Sequence, residues 1–563
     1  MSRIWIIEAA GKVKSLKRAL ADAGHPSDRV LATHGRLYDL ADDLHRVGNE
    51  ILKDLNTIRW EPLRKEQINQ LMDLTRNASE IVIATDADLE GELIAHHFVK
   101  AFARPGVAFS RAYLMGFTAE HVSEATQARK AIDTNRVFSA IARRLFDRHL
   151  GYQLISEEDH FRMSMGRVVS PLVQSLLEQP AITTRVECDL KDGWKAVFSL
   201  PSHLGSQAQI LCSILSDLKP VEPILESVET VTEEKKPLTG PEAILLCSNE
   251  INKPIDEIMA SLQSNYMEGR LSYPRTDSRR MGEISTKWAK RMAEAQGIPF
   301  SLDHLEKRQN EACERSFDAH EALTPLTDYM ASRTISSEHL STEDAVLATI
   351  SRHCAHIGSP TTTLKLERGK FGNDQASQQW AKVVKNFIPH LSIERVRSED
   401  GAILPRTRVI TKKKPNFEST RVRMWKDSPA LTAAKRMIEM GLGRPSTISQ
   451  IAGKAAKNYL DENGQVNGRG KLMLHKVNER CPELLKNGVA QKVEQALIAD
   501  GAKRSVADRL SLAWQLLRQK PLRETTDVKP SVTPQQPEKL DNDHAEAHKE
   551  QDIGNEPPSF SFD

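Results

Sequence analysis

The sequence predicts a multidomain protein with an α/β domain at the N-terminus, followed by helical regions and two β-rich stretches. Three observations lead to this prediction. The chain has 563 residues, which at ~150 residues per domain predicts about four domains. Hydrophobic residues make up 39% of the chain, enough for several buried cores. Two short apolar runs, at 4–7 and 81–84, are typical of buried strands in a parallel sheet.

Acidic residues follow both apolar runs. Parallel strands end at one edge of their sheet, where open α/β sheets bind ligands, so we expect the carboxylates of Glu8, Asp86, Asp88 and Glu90 to converge. Their repulsion is costly without a cation, and an all-oxygen set suits Mg²⁺. The alternative is a solvated acidic first turn of a helix, which the helix dipole favours. Lys12, which opens the helix after the first run, is either a cation of this cluster or an ordinary surface lysine.

A tyrosine and an arginine two residues apart, Tyr273 and Arg275, give the most informative chemical signal. A neutral phenol is a poor nucleophile because its reference pKa is ~10, so a catalytic tyrosine needs adjacent positive charge. Arg275 offers permanent charge and a two-pronged donor set for phosphate oxygens. None of the other six tyrosines has such neighbours. The alternative is a polar turn after a helix.

The later elements are predicted more coarsely. Val137, Ile141 and Leu145 fall at helical spacing and predict a helix that packs inward. Its other faces offer Arg143, Arg144 and Arg148 either to DNA or to solvent alone. Strand-like runs broken by prolines predict β structure in 179–235 and 361–412, and the region 236–345 is helix-rich.

Taken in order, the motifs of this sequence resemble those of the type IA DNA topoisomerases. Each piece is modest in specificity, but their shared order and the match around Tyr273 are together highly specific. The matching pieces are Ile7, Glu8 and Lys12; 33–37; 86–92; 142–148 with Gly151; 165–168; 271–278; 318–322; and 441–447.

The resemblance implies a multidomain α/β plus α fold with a doubly wound parallel Toprim sheet, helical domains and a β-rich arch, which together form a toroidal core. The implied domains are a Toprim metal-binding domain at 1–130, a helical DNA-binding domain in two parts at 131–178 and 421–520, a β-rich arch in two parts at 179–235 and 346–420, and a helical domain with the active-site tyrosine at 236–345.

The resemblance also implies the reaction and the residues that perform it. Tyr273 would attack a single-stranded DNA phosphodiester to form a 5′-phosphotyrosine, with strand passage and religation after it. Glu8 would act as acid and base, Lys12 would stabilise phosphoryl charge, Arg275 would hold the phosphate and His320 would engage the scissile region. Glu8, Asp86, Asp88 and Glu90 match the Mg²⁺ motif. The residues implied to bind DNA are Arg144, Arg148, Arg167, Thr276, Asp277, Ser278, Arg444, Ser446 and Thr447.

Four positions depart from the family pattern and indicate a divergent member. Leu89 stands where the family usually has arginine, and Arg36 where it usually has histidine. Val169 replaces a usual glutamine, and Thr324 a common arginine. We expect these changes to affect DNA affinity or cleavage-site preference more than the type of reaction.

Several classes of protein are disfavoured. The sequence contains no run of ~18 apolar residues, so it predicts no membrane span. The six cysteines form no closely spaced pair, which argues against zinc ribbons and a disulfide framework and suits a reducing cytoplasm. The segment with Gly464, Gly470 and Lys471 lacks the spacing and hydroxyl of a phosphate-binding loop, which agrees with an ATP-independent exchange of phosphodiesters.

The formal net charge of +2 is unevenly distributed. Residues 521–563 contain four basic and ten acidic side chains, which leaves an excess of eight positive charges on the rest of the chain. A basic body favours single-stranded and negatively supercoiled DNA. We expect the tail to be disordered, and its tip at 557–563 either docks on a protein partner or is an ordinary frayed terminus.

Two other functions stay open from the sequence. A catalytically impaired DNA-binding clamp would bind DNA without a covalent adduct. A Toprim phosphotransferase of the primase or nuclease kind would use the carboxylates without Tyr273 and release free ends. The favoured interpretation is a monomeric, cytoplasmic, Mg²⁺-dependent enzyme that relaxes negative supercoils or decatenates DNA.

Overall fold

The computed structural model describes residues 3–41, 58–154, 163–310, 321–328, 340–403, 420–498 and 504–518. His320 and the acidic tail at 521–563 lie outside the described residues. The five described cysteines are free thiols. Every helix in these ranges is too short or too polar to cross a membrane.

The N-terminal region alternates strands and helices. Its elements are β1 Arg3–Ile7, α1 Val13–Asp22, β2 Arg29–Ala32, β3 Tyr38–Leu40, β4 Trp60–Pro62, α2 Lys65–Thr75, β5 Glu80–Ile83, α3 Leu89–Phe102, β6 Ala108–Arg111 and α4 Ala119–Gln127. Four strands form a parallel sheet in the order β2-β1-β5-β6, and β3 and β4 form a separate antiparallel pair.

The parallel sheet is covered on both faces, which explains its continuous apolar runs. Successive strand residues point to opposite faces, so Ile4 and Ile6 enter one core while Trp5 and Ile7 enter another. Helices α2 and α3 lie on the first face, and α1 and α4 lie on the second. The predicted doubly wound sheet is therefore confirmed.

A helical region continues the first of these cores. Its elements are α5 Thr134–Leu154, α6 Val169–Glu178, α14 Pro429–Glu439, α15 Ile448–Tyr459, α16 Gly468–Arg480, α17 Val489–Ile498 and α18 Val506–Leu516. Val137, Ile141 and Leu145 of α5 are buried, as their spacing predicts. One cluster of buried side chains runs from Ile4 of the sheet to Trp514 of α18, so the sheet and this helical region share a core.

A six-stranded antiparallel sheet draws its strands from two separate stretches of chain. Its elements are β7 Ile182–Asp189, β8 Lys195–Pro201, α7 Ala208–Ser216, β9 Ile224–Glu233, β10 Thr362–Lys370, α13 Gln375–Val384, β11 Leu391–Ser398 and β12 Val422–Lys426. The strand order is β12-β7-β8-β11-β10-β9. One face packs on α7 and α13 around Phe198 and Trp380.

The tyrosine-bearing region is helical. Its elements are α8 Gly240–Ile251, α9 Ile255–Met267, α10 Glu283–Ala295, α11 Leu302–Asn310 and α12 Thr342–Ala355. A capping box of Thr239 and Glu242 starts α8. Tyr273 lies in the turn between α9 and α10.

The observed packing also bears on where the second β-rich segment begins and ends. Helix α12 packs against α8, α9 and α10, whereas β12 pairs with β7 in the antiparallel sheet. Helix α12 therefore lies with the tyrosine-bearing helices, and β12 lies with the antiparallel sheet. Helical and β-rich regions thus follow the parallel sheet, as the sequence predicts for the fold class.

Arg509 ties the last helix to the helical region, and its replacement by Met should destabilise that region. The fully buried guanidinium donates to the carbonyls of Leu497 (3.2 Å) and Ile498 and to the side chain of Asn135. Arg509→Met leaves these acceptors unsatisfied, which costs about 1–3 kcal/mol. Thermal unfolding should show a lower first transition, whereas Arg76→Met, at an exposed ion pair with Asp73, should leave it unchanged. Equal unfolding curves for the two variants would contradict this role.

Candidate catalytic centre

The carboxylates of the centre lie at the carboxyl ends of neighbouring strands. Glu8 directly follows β1, and its carbonyl accepts a hydrogen bond of 3.0 Å from the backbone N–H of Gly35. Asp88 caps α3, because its Oδ1 accepts from the Gly91 N–H at 2.8 Å. A Cβ on Gly91 would lie 1.9 Å from the Asp86 carbonyl oxygen, so only glycine permits this tight turn. The acidic residues are therefore positioned by backbone geometry at the strand ends.

The cluster holds more negative charge than its cations neutralise. Burial, followed by the charges of Asp86 and Asp88, raises the pKa of Glu8 to about 8. Lys12 acts in the opposite direction but does not offset the carboxylates. Burial and the neighbouring carboxylates therefore favour the protonated form of Glu8 in this conformation.

Lys12 is buried inside the centre. Its ammonium forms an ion pair with Asp86, and only 3% of the side chain is exposed. The Nζ atom also lies 4.9 Å from the ring centroid of Tyr266 and 5.9 Å from that of Tyr273. The structure therefore brings Lys12 to the acidic cluster and to the tyrosine.

Glu90 is turned towards arginines. Its Oε1 lies 2.8 Å from Nε of Arg36 and 3.6 Å from a terminal nitrogen of Arg144. Burial raises the pKa of Glu90, although both arginines act against this rise. Arg144 also pairs with Asp39, and Arg148 donates to the Ala41 carbonyl at 3.2 Å. These two arginines thus join α5 to the first domain.

The Tyr273 side chain reaches the acidic cluster. Its hydroxyl donates a 3.0 Å hydrogen bond to Oδ2 of Asp88, a residue 185 positions earlier in the chain. Burial raises the pKa of the phenol well above its ordinary value, and the negative charges of Asp88 and Asp86 raise it further. The nucleophile candidate is therefore a neutral phenol in this conformation.

Backbone hydrogen bonds fix the turn that carries Tyr273. The Tyr273 N–H donates to the Met115 carbonyl of the first domain at 3.1 Å. Ser272 and Thr324 are joined twice, from the Ser272 N–H to the Thr324 carbonyl (2.9 Å) and from the Thr324 N–H to the Ser272 hydroxyl (2.8 Å). A Cβ on Gly240 would lie 2.0 Å from the Pro274 carbonyl oxygen, so the start of α8 packs directly on this turn.

Arg275 adds a permanent positive charge. Burial alone would lower its pKa, but the neighbouring negative charges, Asp86 and Asp88 among them, outweigh burial and raise the pKa. Lys12 and Arg275 therefore both place positive charge close to the Tyr273 hydroxyl and the carboxylates beside it. This arrangement can stabilise a phosphate whose negative charge increases during reaction.

Tyr266 is a member of the centre that the sequence analysis missed. Its ring packs edge-on against the ring of Tyr273, with 5.4 Å between centroids, and the side chain is 2% exposed. Burial and the charges of Asp86, Glu8 and Asp88 raise the pKa of its phenol. The only available sequence signal was its place at the end of an amphipathic helix seven residues before Tyr273, because no charged motif surrounds it.

The remaining candidate DNA-binding residues are distributed over two places. Thr276 and Ser278 are fully buried, and the Thr276 hydroxyl accepts a hydrogen bond of 3.0 Å from the Ser278 N–H. Both residues therefore support the turn that carries Tyr273. Asp277 between them is half-buried. Arg167 and Arg444 both pair with Glu494 in the helical region. Ser446 and Thr447 lie at the start of α15, where Thr447 occupies the N-cap position without a capping hydrogen bond from its side chain.

The donor set of the acidic cluster suits a hard divalent cation. Within the described ranges, no three His, Cys, Asp or Glu side chains are arranged to hold one ion by themselves. Mg²⁺ is commonly bound by one or two carboxylates, with waters and phosphate oxygens completing its shell. Burial and the repulsion from Asp86 and Asp88, which raise the pKa of Glu8, fit a cluster that such a cation would stabilise.

Comparisons with known proteins agree on one family. The sequence model of a family described as DNA topoisomerase matches residues 205–506, and that of the Toprim domain matches residues 3–115. Toprim domains are generally associated with divalent metal ions.

Curated relatives are similar over much of the chain. DNA topoisomerase 1 of Aquifex aeolicus is 26% identical over 351 residues, which covers 58% of this chain and 61% of the relative. DNA topoisomerase 1 of Buchnera aphidicola subsp. Acyrthosiphon pisum is 23% identical over 582 residues, which covers 91% of this chain and 64% of the relative. The chain therefore spans less than two thirds of the length of these relatives.

A solved structure shows the same fold. Full-length topoisomerase I from Thermotoga maritima superposes with a TM-score of 0.60 at 17% identity, over 92% of this chain and 89% of that chain. The DNA topoisomerase model alone matches more than half of the sequence, and the Toprim match precedes it in the chain. The protein therefore belongs to the type IA DNA topoisomerase family.

Proposed function

We propose that this protein is an ATP-independent topoisomerase that cuts single-stranded DNA through Tyr273, passes a strand through the gap and reseals it. The observation that carries the proposal is the 3.0 Å contact between the Tyr273 hydroxyl and Asp88, made inside an acidic cluster that also contains Lys12. Relaxation of negative supercoils or decatenation would follow from repeated cycles.

The proposed cleavage step balances without a cofactor that stores energy. The Tyr273 oxygen bonds to phosphorus, the bond to the 3′-oxygen breaks, and the product is a 5′-phosphotyrosine with a free 3′-hydroxyl. Asp88 accepts the phenolic proton through the existing hydrogen bond. Glu8, whose raised pKa favours its protonated form, donates a proton to the departing oxygen. Religation is the same exchange in reverse.

Fixed positive charges would lower the barrier of this step. Negative charge spreads over the non-bridging oxygens in the transition state, so Lys12 and Arg275 stabilise it more than the ground state. Asp86 and Asp88, with Glu8 or Glu90 beside them, would hold a Mg²⁺ ion whose charge assists phosphate binding. His320 keeps its proposed role at the scissile region.

We also propose the domain division that the resemblance implies, with the second β-rich part taken as 362–426 and with the tyrosine-bearing helices as the moving part. A DNA strand can enter only if the contacts of Tyr273 with Asp88 and Met115 open. All groups of the centre come from one chain, so a monomer suffices. Single-stranded and negatively supercoiled DNA in the cytoplasm would be its substrates, and the acidic tail is proposed to contact a protein partner.

Replacement of Tyr273 by Phe should abolish covalent capture of DNA. The ring and its packing remain, so binding of single-stranded DNA should be retained. The measurement is incubation with labelled single-stranded DNA and Mg²⁺, followed by denaturation and detection of a labelled protein band. Tyr152→Phe, at a half-exposed tyrosine of α5, is the matched control and should form the adduct normally. A labelled band from Tyr273→Phe would refute the assignment.

Replacement of Lys12 by Met should slow cleavage without preventing DNA binding. Removing one fixed donor to a charged transition state typically costs about 10²–10³-fold in rate. Single-turnover cleavage of a labelled oligonucleotide measures this loss. Lys14→Met changes an exposed lysine two residues away and should cleave at the normal rate. A rate for Lys12→Met equal to that of this control would show that Lys12 acts only in folding.

Tyr266 should affect the rate of DNA cleavage through the contacts of its ring and not through its hydroxyl. Tyr266→Leu removes an aromatic pair and a cation–π contact, together worth about 1–2 kcal/mol, so we expect cleavage about tenfold slower. Tyr266→Phe keeps both contacts and should cleave at nearly the normal rate in the same single-turnover assay. If the Phe variant is as slow as the Leu variant, the hydroxyl is the active part and the ring contact is not.

A further inference from the structure

One carboxylate lies among three guanidinium groups in the helical region. Glu494 of α17 has its Oε1 3.2 Å from Nε of Arg143 and 3.1 Å from Nε of Arg444, and its Oε2 pairs with Arg167. Arg143 belongs to α5, Arg167 precedes α6, and Arg444 precedes α15. Four separate segments therefore meet at this one side chain, which no sequence motif singled out.

The three arginines differ in how many of their donors are used. Arg167 is 6% exposed and is fully engaged, because its Nε and one terminal nitrogen also contact Asp147 at 2.5 and 3.1 Å. Arg143 and Arg444 direct only Nε at Glu494, and their side chains are 21% and 13% exposed. Within the described part of the chain, the terminal nitrogens of these two arginines make no hydrogen bond or ion pair.

The charges explain why a carboxylate is needed at the centre. Three guanidiniums this close repel one another, and a shared anion offsets the repulsion. Although burial acts the other way, Arg143, Arg167 and Arg444 hold the pKa of Glu494 well below its usual range, so it stays ionised. With Asp147 included, the group carries three positive and two negative charges and keeps an excess of one positive charge.

We propose that Glu494 is a positioning residue for DNA: it holds Arg143 and Arg444 so that their terminal nitrogens bind backbone phosphates of a single strand. The proposal deepens the proposed function, on which its choice of ligand rests. Nε of Arg444 donates a hydrogen bond to the carboxylate, whereas Nε of Arg143 is held near it by ion-pair contact at 3.2 Å without a hydrogen bond. The two terminal nitrogens of each arginine are left as a planar donor pair that matches phosphate oxygens. Pre-ordering two long side chains in this way reduces the entropy lost when DNA binds.

The direction in which DNA affinity changes when Glu494 is neutralised separates a positioning role from a purely electrostatic one. If Glu494 were only a negative charge near DNA, its neutralisation would tighten DNA binding. If it positions the arginines, neutralisation frees them and binding weakens despite the more positive surface. The salt dependence adds a second readout, because the slope of log K against log salt is about −0.7 per phosphate contact for a single strand.

The experiment compares variants of the full chain that also carry Tyr273→Phe, so that binding stays non-covalent. A fluorescent single-stranded oligonucleotide is titrated by anisotropy at several salt concentrations without Mg²⁺. Glu494→Gln should weaken binding about tenfold and reduce the slope by about 0.7–1.4, the loss of one to two phosphate contacts. Glu494→Asp should recover part of the lost affinity and part of the lost slope. Glu439→Gln, which removes an exposed carboxylate 3.2 Å from Arg436 in the same region, is the matched control and should change neither.

A double-mutant cycle checks that Glu494 acts through the arginines. Arg444→Met should weaken binding in the parent chain but add little in the Glu494→Gln chain. Additive losses, or a Glu494→Gln chain that binds as tightly as the parent or more tightly, would overturn the proposal. If Glu494→Gln does not fold, as judged by its unfolding curve, the Arg143→Met and Arg444→Met variants test the proposal instead. Each should reduce the slope of log K against log salt, and unchanged slopes would also overturn the proposal.

Failure of this inference and failure of the proposed function give different results. Covalent adduct formation is measured separately on chains that keep Tyr273. Normal adduct formation together with unchanged DNA binding in Glu494→Gln would contradict only the positioning role. DNA binding that depends on Glu494 in a protein that never forms an adduct would contradict only the proposed reaction.

Discussion

The hydrogen bond from the Tyr273 hydroxyl to Asp88 is the interaction on which the arrangement of the centre depends. It forms only if the end of β5 and the turn after α9 meet. Packing makes them meet, because Tyr273 and Tyr266 belong to the same buried cluster as Trp5 and Val82 of the parallel sheet. The tyrosine-bearing region thus completes one face of the first domain. The same packing sets the cost of opening, since separation exposes these aromatic rings to water.

The second constraint is the balance of charge around the carboxylates. Lys12 and Arg275 act on the side that faces the tyrosine, and Arg36 acts on Glu90 at 2.8 Å. Leu89, where the family usually has arginine, is 4% exposed and belongs to the apolar core. Positive charge beside Glu90 is therefore supplied by Arg36, from the loop before β3, and by Arg144 of α5. The departure at Thr324 is also accommodated, because the turn uses its backbone N–H and carbonyl and its buried hydroxyl donates to the Ala322 carbonyl at 3.0 Å.

Local rules account for what the sequence predicted about the fold. The apolar runs at 4–7 and 81–84 identified the central strands because both faces of a parallel sheet are covered. The rule that carboxyl ends of parallel strands share an edge led to the acidic residues that the structure brings together. Tyr266 and Glu494 escaped prediction because their surroundings are tertiary: Tyr266 meets a lysine encoded far upstream, and Glu494 meets arginines from three other segments. No periodicity or motif records contacts of that kind.

The electrostatics of the closed state indicate how the nucleophile is restrained. Burial and the carboxylates of Asp88 and Asp86 keep the Tyr273 phenol neutral, and its proton is shared with Asp88. A neutral, buried phenol is a poor nucleophile, so the proposed attack requires a change in its surroundings. In the proposed reaction a bound phosphate would change this balance, because Lys12 and Arg275 would then have a second anion to stabilise as the bond to phosphorus forms. In the proposed reaction, Asp88 both restrains the phenol and would receive its proton once a phosphate is in place, which would couple reactivity to the presence of DNA.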